Sequence, residues 1–184
     1  MKNQLKWGLA AAVMVGLGSP GAWAYTPSTD ATITITPIVD VSLSVSPTTY
    51  AFGSLAVNTS SVTATSLVVT NDGNIDATIA KQIQSNSADW IADTSSTTAN
   101  HFVLYVATST TRPAMTDFTN TDHRFGAVAN VTPLKGLGGS SPIVTAGGGS
   151  ASPALALWFR LDMPMQVTTS AAQTITVRFT GTGQ

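Results

Sequence analysis

The feature that most constrains this chain is a two-residue alternation that recurs in short runs. From Thr32 onward, Ile33, Ile35, Val39, Val41, Leu43 and Val45 fall on one face, with Pro37 in the same register. Thr32, Thr34, Thr36, Asp40, Ser42 and Ser44 fall on the other, and only Ile38 breaks the rule. Period two is the signature of a half-buried β-strand, because successive side chains of a strand point to opposite faces. Pro37 cannot donate to a ladder, so it marks an edge, a bulge or a break between two strands. The pattern returns at Ile75, Ala77, Ile79 and Ile83, at Phe102, Leu104 and Val106, at Leu155, Leu157, Phe159 and Leu161, and at Ile175, Val177 and Phe179.

Turn residues punctuate these runs. Pro47 precedes a short apolar strand expected at Tyr50-Ala51-Phe52-Gly53, and Ser61 to Thr70 reads as the next strand. Asn71-Asp72-Gly73-Asn74 is a turn signal, since Asn, Asp and Gly tolerate positive φ, and the alternation on both sides predicts a hairpin. Residues 136–153, rich in Gly, Ser and Pro, read as a long mobile loop. Composition agrees. All nine acidic residues are aspartates, glutamate is absent, and only 9% of residues are charged, which leaves few of the surface residues that favour helices. The expected fold is all-β: a single antiparallel immunoglobulin-like β-sandwich of about 7–8 strands.

The first 24 residues indicate where the chain works. Lys2 and Lys6 precede an apolar run from Leu9 to Leu17, then Ser19-Pro20-Gly21 and the small-x-small triplet Ala22-Trp23-Ala24. This is the pattern of a secretory signal peptide, with an apolar core too short to span a bilayer. Cleavage there leaves about 160 residues, enough for one domain with its own core. The expected organisation is a signal peptide at 1–24, an N-terminal strand segment at 25–45 and a sandwich domain at 46–184. The expected location is secreted, extracellular or cell-surface. No later segment reads as a membrane span. Loss of the two lysines takes the net charge from −1 to −3, which argues against nucleic acid as a partner. A low charge density also offers little resistance to self-association. With no cysteine, stability must come from the core, strand pairing and assembly.

Two stretches carry resemblances. Phe52-Gly53-Ser54-Leu55 followed by Ser66-Leu67-Val68-Val69-Thr70-Asn71-Asp72-Gly73-Asn74-Ile75-Asp76-Ala77-Thr78 resembles the "FG…VTNxGN" pattern of small bacterial immunoglobulin-like sandwiches. The same hairpin region is similar to that of the camelysin and TasA-like secreted matrix-fibre proteins. The alternating segment after the signal peptide, with an alternating strand near the C-terminus, is similar to fimbrial subunits that polymerise by donor-strand exchange. That resemblance implies a homopolymer in which Ile33, Ile35, Val39, Val41 and Leu43 act as donor residues. The same stripe reads equally as the first strand of the chain's own sandwich.

Little points to catalysis. The only histidines are His101, at a strand edge and expected to face solvent, and His123, in the loop Asp122-His123-Arg124. No G-x-S-x-G elbow and no H-E-x-x-H motif is present. No enzyme activity, metal or cofactor is expected. Asp72-Gly73-Asn74-Ile75-Asp76 has the D-x-N-x-D spacing of a calcium loop, but it lacks the following glycine, and the chain has no glutamate for the bidentate last ligand. A turn is the simpler reading. Trp90 and Trp158 are the aromatic residues of interest. Trp158 has opposite parity to its strand's apolar stripe, so it either offers a binding surface or packs under another layer. The alternative function is a module binding a polysaccharide or a cell-surface protein.

Overall fold

A computed structural model describes residues 32–147 and 154–184. The proposed signal peptide lies outside the described residues. The chain divides after Thr36 into two units. Of the first, Thr32–Thr36 is described. It carries no strand, and Ile33 and Ile35 are each 81% exposed.

The second unit, Pro37–Gln184, is all-β and builds two sheets. Its strands are β1 (Leu43–Ser46), β2 (Ser60–Val62), β3 (Leu67–Asn71), β4 (Ala77–Ser85), β5 (Ile91–Ala92), β6 (His101–Thr108), β7 (Thr132–Pro133), β8 (Ile143–Val144), β9 (Ala154–Asp162) and β10 (Thr176–Gly183). One sheet runs β1-β3-β9-β6-β5, with β2 also paired to β9. The other runs β10-β4-β7, with β8 also on β4. Pairing is antiparallel except for β5 on β6. Several strands are only two or three residues long, and the sheets curl around a shared core. This gives more and shorter strands than the regular pattern expected from the alternation.

The core follows from the alternation. Leu67 and Val69 of β3, Phe102, Leu104 and Val106 of β6, and Leu157, Phe159 and Leu161 of β9 meet Ile79 and Ile83 of β4 across the gap. Val177 and Phe179 of β10 pack at its margin. Burying such side chains contributes about 1.5–3 kcal/mol each, which offsets the entropy of ordering the short strands.

Four expectations are corrected. Ser61 to Thr70 is not one strand. Both β2 and β3 pair with β9, and the chain bulges between them at residues 63–66. Thr63 is fully buried and bridges the gap. Its N–H donates to Phe159 O (2.9 Å), and its Oγ1 accepts the Phe159 N–H (3.2 Å). Arg112 donates to Thr63 O and Val62 O (2.8 Å each), and the Ala64 N–H donates to Tyr50 Oη (2.7 Å). These bonds satisfy backbone groups that the bulge removes from the ladder.

Nor is Asn71–Asn74 the tip of a hairpin. Both edges of β3 are taken, by β1 and β9, so the chain crosses to the other sheet to begin β4. The buried Asn71 side chain fixes the crossing. Nδ2 donates to Ile75 O (2.8 Å) and Val144 O (3.1 Å), and Oδ1 accepts the Gly73 N–H (3.0 Å). Tyr50–Gly53, expected as a strand, has no strand pairing. Instead Tyr50 and Phe52 meet edge to face at 5.2 Å and pack on the core margin. Within residues 136–147, expected as part of a long loop, β8 pairs with Ala77–Thr78 of β4. Residues 148–153 lie outside the described residues.

Candidate functional site

Two strands are placed at sheet edges. Among the described residues β10 pairs only with β4, and β1 only with β3. An edge strand leaves a row of backbone donors and acceptors unpaired, which is a template for another strand. These two edges approach each other. A Cβ added to Gly181 would stand 2.8 Å from Val41 Cγ1 and 3.0 Å from Leu43 Cδ1, and one on Gly183 would stand 3.2 Å from Val41 Cγ2. Glycine at 181 and 183 is what lets Val41 and Leu43 settle onto β10.

Towards the start of β10 the edges part, and the core opens as a groove of about 930 Å³. One lip is Thr48–Leu55, carrying Tyr50, Phe52 and Leu55. The other is Thr169–Val177, carrying Ile175 and Val177. The floor is the inner face of the larger sheet: Leu67, Leu104, Phe159 and Leu161, with Met163 beyond β9. Trp90 lines one end. Threonine and serine side chains edge the lips, and a concave site with an apolar floor takes apolar ligands or side chains.

The segment leading into β1 sits at the other end. Asp72 N–H donates to Ser42 O (2.7 Å) and Asn74 N–H to Asp40 O (3.0 Å), so the backbone after β3 continues the β1 ladder. Asn74 Oδ1 accepts the Asp40 N–H and Nδ2 donates to Ile38 O, both at 2.7 Å. Gly183 pairs with Ala77, and Gln184 N–H bonds Asp76 O, at this same end. At about 3.4 Å per residue, Val177 and Gly183 are about 20 Å apart along β10. The chain thus enters the unit at one end, and the groove opens at the other.

The proposed donor residues fall into two groups. Ile33, Ile35 and Val39 are exposed, as is Ile38. Val41 and Leu43 are partly buried, with Leu43 in β1 opposite Asn71.

Trp158 is 8% exposed and is no open aromatic platform. It centres a second cluster, on the outer face of the larger sheet, with Val62, Val103, Tyr105, Ala107 and Phe118. Its Nε1 donates to Ser109 O (2.9 Å). Tyr105 Oη donates to Asn120 Oδ1 (2.9 Å), and Arg160 Nη1 to Met115 O (3.0 Å). The segment 109–122, including a single 3-10 turn at Met115–Asp117, is drawn over this face. That cover explains why β6 is buried on both faces.

One buried group was missed by pattern reading. Lys81 is 0% exposed and occupies the core-facing stripe of β4 between Ile79 and Ile83. Its Nζ donates to Asp122 O (3.0 Å) and His123 O (2.8 Å) and lies 5.4 Å from the Phe125 ring centroid. Burial lowers its pKa to about 7, against a smaller upward pull from Asp122. The signal was its parity in the alternation, where a lysine stands in an isoleucine's place.

His123 is also fully buried. Its Nδ1 accepts the Thr119 N–H (2.8 Å), so Nε2 carries the proton and donates to Gly136 O (3.0 Å). Both ring nitrogens are engaged in holding loops. His101, expected to face solvent, is half-buried, with Nδ1 3.2 Å from Asp93 Oδ2. Asp93 is held below the usual carboxylate range, chiefly by the Ser95 N–H. No group of three or more His, Cys, Asp or Glu gathers at metal-binding distance among the described residues. Asp76 Oδ1 accepts the Ala146 N–H (2.8 Å), while Asp72 is exposed.

Comparison with protein-family models, with curated proteins and with solved structures finds no match to this chain.

Proposed function

We propose that this protein is an exported structural subunit of an extracellular fibre, pilus or matrix, built on an immunoglobulin-like sandwich with one strand position left open. The proposed mechanism is β-strand addition. The N-terminal segment of one copy enters the groove of the next, its backbone pairing with the free edge of β10 and its alternate apolar side chains filling the groove. The observation that carries this reading is the apolar-floored groove beside the eight-residue strand β10, whose second edge has no partner among the described residues, in a chain that also bears exposed Ile33, Ile35 and Val39.

The proposed donor is the part of the segment upstream of Val41. Val41 and Leu43 are engaged with their own chain at Gly181, which leaves Ile33, Ile35 and Val39 for a neighbour. Because the chain enters at the end away from the groove, addition is head to tail. A heterologous contact that does not close gives an open filament.

A second reading, a glycan- or protein-binding module, draws on Tyr50, Phe52 and Trp90 in the same groove among threonine and serine side chains. Negative-stain electron microscopy separates the two. Fibres from Tyr25–Gln184 and none from Ile38–Gln184 support strand addition. Folded monomers from both overturn it in favour of the binding module.

A further inference from the structure

We infer that Asn100 and Gln173 are positioning residues that hold one lip of the groove at the width an entering strand requires. The inference rests on the strand-accepting reading above. The lip between β9 and β10 runs through Thr168-Thr169-Ser170-Ala171-Ala172-Gln173-Thr174. Between Val167 and Ile175, which both line the groove, this stretch has no large apolar side chain, so burial holds its two ends and not its middle. Polar side chains fasten it instead, with Asn100 beside the groove and Gln173 among the residues that line it.

Asn100, at the start of β6, has φ +58°, the left-handed region that asparagine tolerates. Its Oδ1 accepts the Thr168 N–H (2.9 Å) and the Thr168 hydroxyl (3.3 Å), and its Nδ2 donates to Thr168 Oγ1 (3.1 Å). Its backbone N–H donates to Gln166 O (2.8 Å). Five residues on, Gln173 Nε2 donates to Asp89 Oδ2 (3.0 Å), and the Asp89 N–H donates to Gln173 Oε1 (3.3 Å). The lip residues Thr169–Ala172 are suspended between these two fastenings, which sit on the connections flanking β5. Released from both, residues 168–174 have only Ala171 and Ala172 to bury, and their distance from Leu161 and Met163 is set only by Val167 and Ile175 at the two ends. A strand binding a pre-formed groove avoids the ordering cost that a collapsed or splayed lip would add.

The test is the affinity of the purified full chain for a fluorescent peptide of residues 31–41, read by anisotropy. The unaltered chain is expected to bind. Asn100→Gly combined with Gln173→Ala, which keeps the left-handed backbone and removes both fastenings, should bind at least about tenfold more weakly. Asn100→Asp retains the Oδ1 acceptor and should bind like the unaltered chain, whereas Asn100→Leu, which has a similar volume and no acceptor, should bind as weakly as Asn100→Gly. Should the double variant not fold, Gln173→Ala alone, at an exposed pair, is expected to bind several-fold more weakly. Unchanged affinity in a folded variant lacking the fastening, or equal weakening by Asn100→Asp and Asn100→Gly, overturns the positioning role while the groove reading stands. A peptide that does not bind the unaltered chain overturns both.

Discussion

Asn74 grips the backbone of Asp40. Its Oδ1 accepts the Asp40 N–H and its Nδ2 donates to Ile38 O, so one side chain replaces two rungs of a ladder just upstream of β1. Beside it Gly73 lies against the Asp40 carbonyl, where a Cβ would overlap Asp40 O and stand 2.8 Å from Ser42 N. This clamp decides where the exposed N-terminal segment leaves the folded unit.

Replacing Asn74 with Ala should therefore loosen residues 38–42 before it affects the core. The expected cost is about 1–2 kcal/mol for two exposed hydrogen bonds. Hydrogen exchange at Asp40 should accelerate while exchange along β9 stays slow. Gly73→Ala should cost more, because backbone rather than a movable side chain blocks the added carbon. Chemical denaturation of the two variants checks the order, and an Asn74→Ala cost equal to that of Gly73→Ala would contradict the clamp.

Lys81 should make stability rise with pH. Its folded pKa of about 7 lies below the unfolded value of 10.5. Between the two, the unfolded chain holds a proton that the folded chain lacks, so raising the pH favours folding. Below about pH 7 both states are protonated, and the cost of the buried charge is full and constant. The contribution approaches 1.4 kcal/mol per pH unit above pH 7. Urea denaturation at pH 6, 7, 8 and 9 should show this slope, and Lys81→Met should remove it. A variant that keeps the slope would assign it to another group.

Trp158→Ala should cost about 3–5 kcal/mol, as large-to-small changes in a packed cluster do. The loss combines the cavity under segment 109–122 with the orphaned Ser109 carbonyl. Thermal unfolding measures it, and susceptibility of residues 109–122 to protease should rise with it. Trp158→Phe should cost less, since it retains most of the apolar area and loses only the hydrogen bond. Unchanged stability in Trp158→Ala would contradict this packing role.

The strands were legible wherever a core-facing stripe ran on without interruption. Phe102-Leu104-Val106, Leu155 to Leu161 and Val177 to Phe179 all lie in strands because a half-buried sheet imposes period two directly on the side chains. The run from Thr32 to Val45 shows the limit of that rule. It alternates throughout, but only Leu43–Ser46 is a strand, because only there does β3 offer a partner. Alternation states which residues share a face and is silent about what pairs with them.

The groove was not legible for the same reason. Its floor residues lie on β3, β6 and β9 and beyond, and its lips on two connections far apart in the chain. Trp158's parity placed it on the outer face, but the cover over that face comes from a loop without periodicity. Lys81 stood in view in the stripe Ile79-Lys81-Ile83. Its acceptability depends on the carbonyls of Asp122 and His123, and these reach it only through the fold.

The sequence by itself determined an all-β chain, the faces of its long strands, and the turn at Asn71–Asn74, since each depends on local sterics and on one side chain's affinity for water. The tertiary structure decided that this turn crosses between sheets, that β10 has one edge without a partner among the described residues, and that the core opens beside it. Those outcomes depend on which strands win the limited pairing edges, a competition among residues distant in sequence that no local pattern records.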